Sequence, residues 1–246
     1  MRAMGNLKAI LFDIDDTLFS TTEFARRARL NAVRAMITMG LRAPEVEVSR
    51  ELDEVIKEFS SNYGKHYDKL LMRLPQSAQG GVNPALIVAA GVAAYHDTKF
   101  QELKPFDDVV PLLSALRDAG MRTGIVTHGW TEKQAEKLIR LDVLAYIDTQ
   151  AVFISDQVGI SKPNPKLYSA ALRSMWLNAS EVMYVGDNLA HDVAPPKSLG
   201  IKTVWSRRAA KTNQDPDDFG PDHIIDDFRE LGQVLREHYE LNLAEF

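Results

Sequence analysis

Three aspartates crowd the end of an apolar run: residues 7–17 read LKAILFDIDDT, with Asp13, Asp15 and Asp16. Two carboxylates 4 Å apart repel by about 4 kcal/mol at an effective dielectric near 20. The cluster therefore needs a compensating charge. Other apolar runs also end in polar groups. GIVTHG carries Thr127, His128 and Gly129, SKPNP carries Lys162, and YVGDNLAHD carries Asp187 and Asp192. Hard oxygen donors with few other ligand types suit Mg²⁺. One carboxylate can attack phosphorus and form an aspartyl phosphate. A second, two residues away, can protonate a departing alkoxide and then activate water. The Thr127 hydroxyl and the backbone amides of His128 and Gly129 can hold phosphoryl oxygens, and Lys162 can neutralise developing charge.

Taken singly, each residue has a plainer explanation. Asp15 and Asp16 suit turns, and Asp16 suits a helix cap. Asp187 after a glycine also suits a cap, Thr127 an ordinary strand-end hydroxyl, Lys162 a solvated loop charge, and His128 a local hydrogen bond. Asp13 fits such readings worst, because a carboxylate at a buried strand end is costly without a partner. Their joint occurrence, in order, favours chemistry.

These groups need a scaffold that gathers them. Near-continuous apolar runs at 7–12, 121–126, 150–154, 181–186, 200–205 and 223–225 read as strands buried on both faces of a parallel sheet. Helical segments lie between them. Residues 108–120 end in a glycine suited to a C-terminal cap, Thr131 and Gln134 form a capping-box pattern, and Asn164 precedes Pro165 as N-cap and first helical residue. Pro195 and Pro196 place a helix start near Ala194. The alternation predicts an α/β fold with a doubly wound parallel sheet, whose chemistry sits at the carboxyl ends of the strands. Residues 20–103 break the pattern, with helical stretches near 20–40, 45–60, 62–74 and 83–99. They read as an all-helical insertion whose aromatic residues Tyr63, Tyr67, Tyr95 and Phe100 belong mostly to its core.

The chain has 246 residues, 45% of them hydrophobic and 26% charged, with a net charge of −5. This mildly acidic balance does not suggest a nucleic-acid partner. No apolar run has the length of a membrane span, and the first residues lack a signal-peptide pattern. The expectation is a cytoplasmic protein without a membrane partner. The absence of cysteine excludes disulfides, thiolate metal sites and cysteine nucleophiles.

DIDDT, VTHG, KPNP and GDNLAHD, in this order, resemble the four motifs of the haloacid dehalogenase-like hydrolase superfamily. The helical insertion resembles the cap of its subfamily I. The resemblance covers nearly the whole chain and implies a core of residues 1–19 and 104–246 and a cap of residues 20–103, with hinges near Phe19–Thr22 and Leu103–Pro105. It implies Asp13 as nucleophile and Asp15 as general acid and base. Thr127 and Lys162 match the phosphate-holding pair, with His128 and Gly129 beside them. Asp13, the Asp15 carbonyl and Asp187 match the Mg²⁺ ligands, and Asp192 a second acidic position that binds a metal water or Lys162. Asp16 stands where many relatives carry Gly, and His128 where Asn is usual.

Asp15 discriminates within the family. Halide leaves without a proton, whereas an alkoxide needs one, so the residue points to a phosphatase acting on a small phosphorylated metabolite. A sugar phosphomutase keeps the same acid and stays open, as does a 2-haloacid dehalogenase. A non-catalytic phospho-acceptor module resembling a response-regulator receiver also combines these residue types. It lacks a long helical insertion after the first strand, however. The oligomeric state is left open, a monomer included.

Overall fold

The computed structural model describes residues 7–211 and 214–245. The chain divides into two compact units, Met1–Thr21 with Lys104–Phe246, and Thr22–Leu103.

The first unit is built on six parallel strands, β1 (Ala9–Phe12), β2 (Arg122–Thr127), β3 (Val152–Ile154), β4 (Val182–Gly186), β5 (Lys202–Ser206) and β6 (His223–Ile225). Their order in the sheet is β3-β2-β1-β4-β5-β6. The chain leaves β1 toward β2 and β3, then returns to the other side of β1 for β4, β5 and β6. A crevice opens where the winding reverses, between the carboxyl ends of β1, β2 and β4. Phe12 stands level with Ile125 of β2 and Val185 of β4, so Asp13 and Asp187, which follow β1 and β4, and Thr127, which ends β2, lie at neighbouring strand ends.

The six expected strands are all present, and their burial explains why they read as unbroken apolar runs. All four residues of β1 are buried. Successive side chains point to opposite faces. Ala9 and Leu11 pack with Tyr184 and with Leu167, Tyr168 and Met175. The Phe12 ring lies 5.6 Å from Phe228 on the other face. Each fully buried side chain of this kind contributes roughly 1.5–3 kcal/mol.

The second unit begins within α1 (Thr21–Thr38) and contains α2 (Glu45–Phe59), α3 (His66–Arg73) and α4 (Pro84–Glu102), with no strand among its described residues. Val33, Met36, Val48, Leu52, Leu70 and Ile87 form its core. Asn83 accepts a hydrogen bond from Ala85 N, with Pro84 at the first helical position. Gly91 lets α4 approach α1: a Cβ there would lie 2.9 Å from Met36 Cγ. Phe100 is not core, being 76% exposed.

The remaining helices are α5 (Val109–Asp118), α6 (Thr131–Arg140), α7 (Ser155–Val158), α8 (Lys166–Met175), α9 (Ala194–Ser198) and α10 (Phe228–Tyr239). Gly120, at φ +72°, closes α5 in the left-handed conformation expected of a glycine cap. The capping box at Thr131 and Gln134 does not form. Thr131 N and Oγ1 instead donate to Asp156 Oδ2 at 3.0 and 2.7 Å, which frees Gln134 for another partner. At α8 the capping bond is present one position displaced. Asn164 Oδ1 accepts from Lys166 N at 3.0 Å, and Pro165 precedes the first helical residue. The helix α9 starts at Ala194, preceded by a π-helical turn over Leu189–Val193.

Candidate active site

Asp13 continues from β1 toward β4, its amide donating to Val185 O at 2.9 Å. The chain then turns sharply. Asp16 adopts φ 55°, a left-handed conformation that glycine takes freely and that short Asp side chains tolerate. Its carboxylate accepts from Thr21 N at 2.9 Å, capping α1, and pairs with Lys211 at 2.5 Å. Across the crevice, β4 ends at Gly186, where a Cβ would lie 2.5 Å from Asp192 Cβ and Cγ. The missing side chain lets Asp192 fold back against the strand end. Asp192 Oδ2 accepts from Asn188 N at 3.0 Å, and Asn188 Oδ1 caps the π-helical turn.

Carboxylate oxygens of Asp13, Asp187 and Asp192 all lie within 4.8 Å of one another. Lys162 joins them. Its Nζ stands 2.7 Å from Asp192 Oδ1 and 3.0 Å from Asp13 Oδ1, and donates to the Tyr184 hydroxyl at 2.7 Å. That hydroxyl in turn donates to Val126 O at 2.7 Å. The Asp13 contact is an ion-pair separation without hydrogen-bond alignment. Asp13 Oδ1 is buried with no hydrogen-bond partner.

Charge in this space is finely balanced. Asp13, Asp15, Asp16, Asp187 and Asp192 line one crevice. Three ammonium groups pair with four of them: Lys162 with Asp13 and Asp192, Lys137 with Asp15, Lys211 with Asp16. Asp187 has no ion pair among the described residues. Burial, then Asp192, Asp13 and Asp16, pushes its pKa up to about 8. Burial likewise pushes Asp13 up to about 6, opposed by Lys162 and aided by Asp192 and Asp15. Burial works against the Lys162 ammonium, but Asp13 and Asp192 outweigh it and raise its pKa. With all five carboxyls ionised, as a bound cation would favour, they exceed the three ammoniums by two negative charges, the complement of one divalent cation. The donors are all hard oxygens, so the set fits Mg²⁺.

On the β2 side, Thr127 Oγ1 is fully buried without a hydrogen-bond partner. The Gly129 amide is engaged by Ser155 Oγ at 3.0 Å. His128 lines the crevice, and its Nδ1 lies 2.8 Å from Ser161 Oγ. Burial, then Lys162 and His191, holds the His128 pKa below its ordinary value. The structure thus brings Asp13, Asp15, His128, Lys162, Asp187 and Asp192 to one crevice, with Thr127 and Gly129 on the adjoining strand end.

Sequence reasoning missed Gln134, Lys137, Lys211 and Tyr184. A spacing of three residues puts Gln134 and Lys137 on one face of a helix, but nothing in the sequence marks that face as the one turned to the site.

This arrangement of strand ends can be compared with known proteins. The family model described as haloacid dehalogenase-like hydrolase matches residues 10–206. The chain belongs to the haloacid dehalogenase-like hydrolase family. Within this family, a glyceraldehyde 3-phosphate phosphatase from Methanopyrus kandleri is 45% identical over 236 residues, covering 94% of this chain and 98% of the relative. A second glyceraldehyde 3-phosphate phosphatase, from Methanocaldococcus jannaschii, is 36% identical over 230 residues, covering 94% and 97%. The crystal structure of a haloacid dehalogenase-family phosphatase from Thermococcus onnurineus superposes with TM-score 0.64 at 25% identity, covering 93% of this chain and 98% of that one. A 2-haloacid dehalogenase from Pseudomonas syringae superposes with TM-score 0.56 at 23% identity, covering 93% and 98%. That likeness is one of fold alone, so the family's fold does not choose between halide and phosphate.

Proposed function

We propose that this hydrolase is a Mg²⁺-dependent phosphomonoesterase that cleaves a small phosphorylated metabolite of the triose-phosphate class through an aspartyl phosphate on Asp13. The observation that carries the phosphatase reading is Asp15. A carboxyl group two residues beyond the nucleophile, lining the same crevice, serves an alkoxide leaving group and has no task when halide leaves. Two near full-length relatives named for glyceraldehyde 3-phosphate supply the substrate class.

In this reading an Asp13 carboxylate oxygen attacks phosphorus while the bond from phosphorus to the ester oxygen breaks. Asp15, carrying a proton in the substrate complex, delivers it to the departing alkoxide. Asp15, now a carboxylate, takes a proton from water as that water attacks the phosphorus of the aspartyl phosphate. Phosphate leaves and the Asp13 carboxylate is regenerated. Thr127 Oγ1 and Lys162 Nζ hold phosphoryl oxygens as charge builds. Asp13, the Asp15 carbonyl and Asp187 would hold the Mg²⁺ ion, with Asp192 behind them. The bound ion would offset the repulsion between carboxylates and phosphate. Residues 20–103 belong to the same proposal as the cap that selects the leaving group.

The test is release of inorganic phosphate from glyceraldehyde 3-phosphate and from p-nitrophenyl phosphate with Mg²⁺ present, beside halide release from 2-chloropropionate. Phosphate release, abolished by chelation and reduced about a thousandfold or more in Asp13→Asn, is expected. Halide release without phosphatase turnover overturns the reading.

A further inference from the structure

The Asp15 carboxylate is held by three side chains. Thr21 Oγ1 donates to Oδ1 at 2.7 Å. Lys137 Nζ donates to Oδ1 and Oδ2 at 2.6 and 2.7 Å, and Gln134 Nε2 donates to Oδ2 at 2.9 Å. Two of the three come from one face of α6. Lys137 keeps 19% of its side-chain surface exposed and rests 5.9 Å from the Phe19 ring. Gln134 is buried.

Gln134 makes a second contact that gives this arrangement its meaning. The same Nε2 donates to His128 O at 2.5 Å. One amide nitrogen therefore bridges the Asp15 carboxylate and the backbone of residues 127–129. The bridge needs glycine at 129, because a Cβ there would lie 2.6 Å from Gln134 Nε2. A capping box would have tied Gln134 to the helix end. Asp156 caps the helix in its place, and the Gln134 amide is left to face the site.

We infer that Gln134 and Lys137 are positioning residues that set the Asp15 carboxyl group at a fixed place against the strand end of residues 127–129. The inference rests on the reading of Asp15 as the proton-transfer group. Two charge-bearing oxygens held by donors from α6 cannot rotate away without breaking bonds to both residues. The arrangement fixes distance between the proton-transfer group and the phosphate-holding strand end, the quantity on which orientation effects depend.

The test is a double-mutant cycle on the full chain with Mg²⁺. It uses Asp15→Asn, Lys137→Met and the double variant, assayed on p-nitrophenyl phosphate. The phenolate of that substrate leaves without a proton, which keeps the residual turnover of Asp15→Asn measurable. Lys137→Met is expected to lower kcat about tenfold, with KM within about twofold of the parent. Lys137→Arg is expected to recover most of the loss. The double variant is expected to be no slower than Asp15→Asn. Losses that multiply in the double variant overturn the inference, because Lys137 then acts elsewhere than through Asp15. A parental kcat in Lys137→Met, with Asp15→Asn impaired, overturns the inference alone. A parental kcat in Asp15→Asn on glyceraldehyde 3-phosphate as well, whose alkoxide needs a proton to leave, removes the proton-transfer reading and this inference with it. Should circular dichroism show Lys137→Met to be unfolded, Gln134→Met replaces it in the cycle with the same expectations.

Discussion

Lys162 and Asp192 form an ion pair of 2.7 Å with their side chains 2% and 1% exposed. Removing two charges from water costs several kcal/mol each, and their attraction offsets this only when every remaining valence is used. Tyr184 takes a second Lys162 hydrogen and the Asn188 amide a second Asp192 oxygen. A pair so placed adds little to stability compared with apolar side chains of the same volume. Its value lies in what it fixes. The ammonium is held 3.0 Å from the Asp13 carboxylate, where the β1, β2 and β4 ends converge, and it cannot wander.

Thr127 offers a clean separation of function from folding. Its buried hydroxyl has no partner, so Thr127→Val removes no hydrogen bond from the resting protein. Loss of an unsatisfied polar group is neutral or stabilising for the fold. The variant is expected to melt within about 2 °C of the parent or above it, while KM for p-nitrophenyl phosphate rises about tenfold, the worth of one hydrogen bond to a charged group. A melting scan and a saturation curve on the same sample check both halves.

Asp187 is the carboxylate of the crevice with no ion pair among the described residues, so a divalent cation should be felt most strongly there. Mg²⁺ at a hundred times its dissociation constant stabilises by about 2.7 kcal/mol, which for a chain of this size raises Tm by about 5–10 °C. Asp187→Asn is expected to abolish that increment. The same substitution removes a carboxyl whose ionised form burial and the neighbouring carboxylates disfavour, so the metal-free variant should melt no lower than the metal-free parent. Thermal shifts with and without Mg²⁺ measure both effects.

The first unit is also tied together by residues that do not line the crevice. Asp108 is buried, accepts from Phe228 N at 2.8 Å and pairs through both oxygens with Arg208. Burial acts to raise its pKa, but the Arg208 and Phe228 hydrogen bonds outweigh it and hold the carboxyl below the ordinary range. A depressed native pKa contributes stability that is complete above the unfolded value, about 3.9, and lost as pH falls through the native value. Asp108→Asn is expected to cost about 3 kcal/mol near pH 7 by leaving Arg208 uncompensated. The gap from the parent should narrow below about pH 4. Urea unfolding at pH 7 and at pH 3.5 measures it.

How much of this was legible in the residues follows from how each is used. The strands could be read because a parallel sheet covered on both faces demands unbroken apolar runs, as Ala9–Phe12 shows. Asp13, Thr127, Lys162 and Asp187 could be read because each follows such a run or precedes a helix with a helix-start signal. Lys137 could not, because a lysine on an amphipathic helix looks the same whether it meets water or a carboxylate. Tyr184 was hidden for the opposite reason, since a tyrosine inside an apolar strand reads as core, and its hydroxyl becomes visible only once Lys162 is placed against it. The capping pattern at Thr131 misled because Asp156, distant in sequence, supplied the oxygen that a local box would have provided. Phe100 misled because a bulky aromatic late in a helix carries no mark of the face it will occupy.

The central claim is that Asp13 becomes covalently phosphorylated. The direct measurement is to quench the enzyme with acid during turnover, reduce with borohydride and map the peptides by mass spectrometry. Reduction of an acyl phosphate converts the aspartate to homoserine, and homoserine at position 13 is the predicted result. Homoserine at Asp15, Asp187 or Asp192 instead, or no conversion at any acid under conditions of rapid phosphate release, would contradict it.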